Sequence, residues 1–164
     1  MDAEAYERIL AAEDSLWFYV SRRKVLEDLL KKYIPLPIES HLDIGCGSGG
    51  IIRFLSGYLK FSVGMDISMK ALKNARDKGQ KFLCQGDASN LSWPDNTFTL
   101  ITVLDVLEHC EDDLATLRTI WRVLKPGGYC IIFVPALEIL WSNLDDFTHH
   151  FRRYTYHDLH QKSR

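Results

Sequence analysis

The sequence predicts an α/β fold: a doubly wound, mainly parallel sheet with helices on both faces. Three observations predict it. From residue 41 onward, short apolar runs alternate with segments of helical periodicity. The first of those runs ends in a cluster of glycines, Gly45, Gly47, Gly49 and Gly50, which suits a tight strand-to-helix turn. Strand, helix, strand repetition with connections this long implies parallel pairing through right-handed crossovers.

Two helical segments precede that region. Ala3 to Ala12 is short and mixed. Ser21 to Tyr33 is better defined, with Ser21 as the expected N-cap and Val25, Leu26, Leu29 and Leu30 on one face. Pro35 and Pro37 end it. His41 to Ile44 reads as the first strand and Gly50 to Leu59 as a helix. Phe61 to Met65 is the second strand, and Ser68 caps a helix that runs through Lys78 and stops at Gly79. Lys81 to Gln85 and Thr97 to Leu104 are the third and fourth strands. Asp112 to Leu124 is helical, with Leu114, Leu117, Ile120, Trp121 and Leu124 at core spacing. Lys125-Pro126-Gly127-Gly128 turns the chain into a fifth strand, Tyr129 to Val134. Thr155 to Asp158 reads as a capping box that starts a last helix.

Composition narrows the function classes. The 164 residues suit one domain, with 46% hydrophobic content, enough for a core. A net charge of −2 offers no basic field for nucleic acid or an anionic membrane. The acidic start, Met1-Asp2-Ala3-Glu4, is unlike a signal peptide, and the longest apolar run, Tyr129 to Leu137, is about half a membrane span. Cys46, Cys84, Cys110 and Cys130 are widely spaced, which argues against a zinc knuckle or a disulfide framework. The expectation is a soluble cytoplasmic protein with no metal site.

The sharpest local signal is Asp43-Ile44-Gly45-Cys46-Gly47-Ser48-Gly49-Gly50. Its glycines let a ligand approach the backbone, and the helix that follows offers unpaired N–H groups. Gly45, Gly47 and Gly50 also satisfy the dinucleotide fingerprint, a weak signal alone. Asp66 closes the second strand, where an acidic side chain can accept both ribose hydroxyl protons of a nucleoside. Asp43 is placed to bind an ammonium group or to orient the loop. Asp87, after the third strand, is placed to accept from an adenine amino group.

Taken in order, LDIGCGSGG, GMDIS, QGDASNLSWPDNTFTLITVLDVLEHCEDD and LKPGGYCIIFVPA resemble the class I S-adenosylmethionine-dependent methyltransferases, from about Leu42 to Ala136. The resemblance implies a Rossmann-like fold and S-adenosylmethionine as cofactor. It implies that Asp43, Gly45, Cys46, Gly47 and Gly49 wrap the methionine part, that Asp66 binds the ribose, and that Ile67 lies beside the adenine. Asp87 and the Ala88 N–H then bind the adenine, Leu104 lines the cleft and Asp105 stands at its mouth. His109, in the run Leu107-Glu108-His109, is either a general base or an organiser of its loop by hydrogen bonds. A nicotinamide dehydrogenase leaves Asp43, Gly86-Asp87 and the Lys-Pro-Gly-Gly turn without a role.

The segment from Trp141 to Thr155 resembles one methyltransferase subgroup through Asp145, His150, Arg152, Arg153, Tyr154 and Thr155. That likeness implies a lid over the cleft. Arg152, Arg153 and Tyr154 either bind the acceptor or hold the lid together, with Asp145 or Asp146 paired to the arginines, and His150 is a second candidate base. Trp17-Phe18-Tyr19 and Arg22-Arg23 resemble the same subgroup. The expected organisation is a helical cap over residues 1–40, a cofactor-binding core over 41–136 and a lid with a helix start over 137–164. The family sheet usually has seven strands, so this chain is expected to lack the last two and to leave an open edge that favours dimerisation. The function expected is methyl transfer to a small-molecule or protein acceptor. The alternative is a cofactor-binding module that is inactive without a partner or the missing strands.

Overall fold

The structure is a computed structural model that describes residues 17–163. The expected helix at Ala3 to Ala12 lies outside the described residues. The first helix, α1 (Trp17–Tyr33), is followed by β1 (His41–Ile44), α2 (Gly50–Leu55) and β2 (Ser62–Asp66). Then come α3 (Met69–Asp77), β3 (Leu83–Gln85), β4 (Phe98–Leu104), α4 (Asp113–Val123) and β5 (Leu124–Phe133). Two short helices close the chain, α5 (Asn143–Thr148) and α6 (Tyr156–Lys162).

The five strands form one parallel sheet in the order β3-β2-β1-β4-β5. Helices cover both faces, so all four residues of β1 are buried. Along β4 the side chains alternate between the two layers. Leu100 joins Leu26 and Leu30 of α1, Leu55 of α2 and Ile131 of β5. Ile101 and Val103 join Leu42 and Ile44 of β1 and Leu117, Ile120 and Val123 of α4. Each such fully buried aliphatic side chain contributes roughly 1.5–3 kcal/mol.

Several element ends differ from the sequence expectation. Ser21 lies inside α1 instead of capping it, because the helix is already formed at Trp17. Val25 is half exposed while Leu26 and Leu30 carry the buried stripe. The helix after the glycine loop stops at Leu55 and tightens into a 3-10 turn over Ser56–Tyr58. In α4, Leu114 is exposed and Val123 takes a core position. β5 begins at Leu124, since Leu124 pairs with Phe98 before the Lys-Pro-Gly-Gly stretch and Tyr129 pairs with Leu100 after it. That stretch is a bulge within the ladder. The caps agree with expectation: the Ser68 hydroxyl accepts from Ala71 N, Gly79 has φ 92°, and Thr155 and Asp158 form a capping box. Among the described residues, no helix is long and apolar enough to cross a membrane.

Candidate cofactor and acceptor site

The strand order reverses between β1 and β4, and open parallel sheets bind ligands at the carboxyl ends beside such a switch point. The glycine loop leaves β1 there. Gly45, Gly47 and Gly49 have φ of 71°, 53° and 76°. A Cβ on Gly45 would lie 2.4 Å from Val106 Cγ2, so only glycine fits. Cys46 N donates to Met65 O at 2.9 Å and Gly49 N to Cys46 O at 2.8 Å, which curls the loop over the end of β2. No side chain caps α2, whose first turn follows Gly49.

Asp66 is the organising acid. Its Oδ2 accepts from Gly47 N and its Oδ1 from Ser68 N, both at 2.8 Å. The carboxylate therefore joins the glycine loop to the start of α3. Burial pushes its pKa up, and the backbone donors from Ser68 and Gly47 oppose that. Ile67 beside it is exposed despite being apolar. At the end of β3, Asp87 Oδ1 accepts from Ser89 N and Ser89 Oγ, both at 2.8 Å, which fixes the turn. Ala88 is buried, and its carbonyl accepts from Thr119 Oγ1 at 3.0 Å.

Asp43 is buried beneath the loop and accepts from Thr102 Oγ1 at 2.6 Å. Cys46 is buried too, and burial pushes its thiol well above the usual range, which opposes a nucleophilic role. Leu104 ends β4 half-buried, and Asp105 follows at φ 56° with its N–H donating to Phe133 O at 3.0 Å. The Arg22 guanidinium of α1 donates to Asp105 and lies 5.2 Å over the Phe133 ring. The sequence shows Arg22 only as half of an arginine pair and Asp105 only as a residue of the cleft, and their pairing across 83 positions is a tertiary feature.

The segment after β5 folds back onto the turn that follows β4. Tyr154 N donates to Pro135 O, Leu137 N to Tyr154 O, and Phe151 N to Glu108 O, at 2.8–2.9 Å. His150 thereby reaches His109, with ring centroids 4.7 Å apart in an edge-to-face pose. Two residues far apart in sequence, each singled out as a candidate base, are thus brought together. Glu108 joins them. It is buried, and burial and nearby Asp105 push its pKa up to about 8. Sequence reasoning gave Glu108 no role, although it adjoins His109.

The remaining lid residues are engaged within the protein. Arg153 grips Asp145 through two 2.8 Å hydrogen bonds, and His150 Nδ1 lies 2.9 Å from Asp145 Oδ1. Arg152 pairs with Asp113 at 3.1 Å and donates to Glu111 O at 2.7 Å. The buried Tyr154 hydroxyl donates to Asp113 Oδ2 at 2.8 Å. Every hydrogen-bonding group of Arg153 and Tyr154 named here points into the lid and its seat.

The residues present fit an adenosyl sulfonium ligand. A loop of left-handed glycines leaves the backbone open, and carboxylates stand at the ends of β2 and β3, where hydroxyl and amino donors need acceptors.

Residues 42–132 match the methyltransferase domain family. The chain is 36% identical over 129 residues to the demethylmenaquinone methyltransferase of Corynebacterium kroppenstedtii, covering 77% of this chain and 52% of that protein. It is 27% identical over 168 residues to the malonyl-[acyl-carrier protein] O-methyltransferase of a Marinomonas species, covering 91% and 62%. Among solved structures, the YcgJ protein of Bacillus subtilis superposes with a TM-score of 0.70 at 26% identity, covering 85% of this chain and 65% of that one. An S-adenosylmethionine-dependent methyltransferase of Mesorhizobium loti superposes at 0.59 and 25% identity, covering 73% and 54%. The chain spans about half the length of the first of these curated relatives. It belongs to the methyltransferase domain family, in its class I, S-adenosylmethionine-dependent branch, and S-adenosylmethionine is the family cofactor.

Proposed function

From that family membership, we propose that the chain moves a methyl group from S-adenosylmethionine to a small-molecule acceptor by in-line displacement. The bound cofactor supplies an already electrophilic methyl, so the protein has to align the acceptor and exclude water. The observation that carries this reading is Asp66. Its two oxygens hold the glycine loop and the start of α3 in one geometry, and each oxygen keeps a lone pair for a ribose hydroxyl. Asp87 and the Ala88 N–H take the adenine, with exposed Ile67 covering it. Asp43, Gly45, Cys46, Gly47 and Gly49 wrap the methionine part, while Leu104 and Asp105 shape the wall toward the acceptor.

His109 and His150, together with Glu108, are the groups of this chain placed to handle a proton on the acceptor. Arg152, Arg153 and Tyr154 act by holding the lid that carries His150. A small-molecule acceptor is favoured by the curated relative named for demethylmenaquinone.

Calorimetric titration with S-adenosylhomocysteine tests the reading. The wild type should bind, and Asp66→Ala should bind at least about tenfold more weakly, the loss expected when a charged hydrogen-bonding partner is removed. A folded wild type that binds neither S-adenosylhomocysteine nor S-adenosylmethionine would overturn it.

A further inference from the structure

The mouth of the cleft carries a cluster that alignment of an acceptor does not by itself require. Glu108, His109 and His150 each present a ligating atom, and the three atoms lie within 4.8 Å of one another. The geometry points to a divalent metal site formed by these three side chains, with an open coordination position for an oxygen of the acceptor.

Four features support it independently of the spacing. First, Glu108 is 1% exposed, and its Oε2 has no hydrogen-bond partner among the described residues. Leaving a buried carboxyl oxygen unmatched is costly, and a cation at this point removes that cost. Second, one ring nitrogen of His150 is already committed. His150 Nδ1 lies 2.9 Å from Asp145 Oδ1, and Asp145 is fixed in turn by the Arg153 fork. A ring that donates one N–H to a carboxylate or a carbonyl keeps the lone pair on its other nitrogen, the arrangement found behind metal-bound histidines. Third, the Phe151 N–H to Glu108 O hydrogen bond, at 2.8 Å, locks the segment that carries His150 to the turn that carries Glu108 and His109. The three ligands are therefore set by the backbone of two segments 41 positions apart and do not depend on flexible side chains alone. Fourth, His109 is exposed, which gives an ion a route in from solvent.

The donor set selects the ion class. Two imidazoles and one carboxylate suit a first-row transition ion such as Zn2+, Mn2+ or Fe2+, whereas Mg2+ prefers oxygen ligands. Three protein ligands leave at least one position open. On the methyl-transfer reading, and resting on it, that position faces the acceptor, and the ion takes the place of the free histidines by lowering the acceptor's proton affinity, so the acceptor class is one that offers a hydroxyl or enol oxygen. The wide spacing of the cysteines gave no hint of this site, because its ligands are carboxylate and imidazole.

The test uses the full chain, stripped with a chelator and titrated with Co2+ and with Zn2+. Binding is read by the Co2+ ligand-field spectrum and by the thermal midpoint. The expected result is a single ion per chain without a thiolate charge-transfer band, with Mg2+ much weaker. Glu108→Gln and His150→Gln should each weaken binding at least about 100-fold, since even outer partners of a metal ligand cost 10–100-fold. His157→Ala and His160→Ala, on α6, should leave it unchanged. Glu108→Gln keeps the side-chain shape and removes only the ability to become a carboxylate ligand, so it provides a folded variant should His150→Gln fail to fold. No binding by the wild type, undiminished binding by folded Glu108→Gln, or binding abolished by the α6 substitutions would each overturn the site. A parallel titration with S-adenosylhomocysteine separates the two readings: loss of metal binding with retained S-adenosylhomocysteine binding sinks the metal site alone.

Discussion

His41 Nε2 lies 2.9 Å from Thr102 Oγ1, and the Thr102 hydroxyl lies 2.6 Å from Asp43 Oδ1. The three side chains share the β1–β4 interface, where Asp43 stands opposite Thr102 in the ladder and His41 two positions earlier on β1, opposite Leu100. A hydroxyl has a single proton, and a carboxylate can only accept. Thr102 therefore donates to Asp43 and accepts from His41, which places the imidazole proton on Nε2. His41 Nδ1 then accepts from Ser62 Oγ at 2.9 Å. The chain of bonds runs from the middle of the sheet to the acid directly beneath the glycine loop.

Thr102→Val should break that chain with almost no change of volume. His41 would keep a buried N–H without an acceptor, and Asp43 would lose a donor. The expected loss is roughly 1–3 kcal/mol of stability, with weaker S-adenosylhomocysteine binding because Asp43 is no longer aimed. Thr102→Ser should restore both. Urea denaturation and calorimetry on the three proteins check this, and equal midpoints for Thr102→Val and wild type would refute it.

Burial depresses the His41 pKa from an ordinary 6.5 to about 3. The folded state thus holds this ring neutral while the unfolded chain protonates it below about pH 6.5. Stability from the neutral ring is complete above that pH and declines as pH falls toward 3. The decline should reach about 2 kcal/mol at pH 5, at 1.36 kcal/mol per pH unit. Because other histidines also titrate, the quantity to measure is the difference in urea midpoint between wild type and His41→Gln at several pH values. A difference that does not change between pH 7.5 and 5 would exclude the assignment.

The local features of the candidate site are legible in the sequence. Glycines at 45, 47 and 49, with Asp66 and Asp87 at strand ends, are local features, since backbone conformation and the ends of apolar runs are written in short stretches of chain. Glu108 was passed over because its significance is non-local: it depends on His150 and on a backbone bond from Phe151. Arg22 and Asp105 were likewise invisible as partners. The resemblance of the Asp145 to Thr155 segment to one methyltransferase subgroup leaves Tyr154 either an acceptor-binding residue or a lid residue. Its burial against Asp113 depends on how the lid returns to the sheet. The displaced start of β5 has the same origin, since a turn signature does not reveal that a neighbouring strand continues the ladder across it.

The glycines divide by what surrounds them. Gly45→Ala puts a Cβ 2.4 Å from Val106 Cγ2 at a left-handed φ, so both sterics and backbone oppose it. Gly127→Ala meets nothing within 4 Å and carries only the left-handed penalty, roughly 1–2 kcal/mol. Gly57→Ala meets nothing and has no such φ, so it should be neutral. The expected order of thermal midpoints is Gly57→Ala above Gly127→Ala above Gly45→Ala. Only Gly45→Ala should also impair cofactor binding, and an unimpaired Gly45→Ala would count against the loop as the binding element.

Asp145 is the hub of the lid. It accepts two bonds from Arg153, one from His150, and two from Ser142, whose N–H lies 2.8 Å and hydroxyl 3.0 Å away. Its side chain is 1% exposed. The Arg153 guanidinium holds its carboxyl well below the usual carboxylate range, with help from Ser142 and His150. Removing the acid leaves a guanidinium without its partner in a mostly buried place, so Asp145→Ala should cost about 3 kcal/mol, the lower end for breaking a buried pair. Because the folded pKa is depressed, this contribution is complete above the unfolded value, about pH 4, and is lost as pH falls further. The consequence should be local as well as global. The lid carries His150 to His109 only while Asp145 anchors it, so limited proteolysis should cut the segment between Leu137 and Phe151 faster in Asp145→Ala than in wild type. Arg153→Lys, which keeps the charge but loses the fork, should fall between the two. Identical cleavage rates for all three would mean that the clamp does not hold the lid.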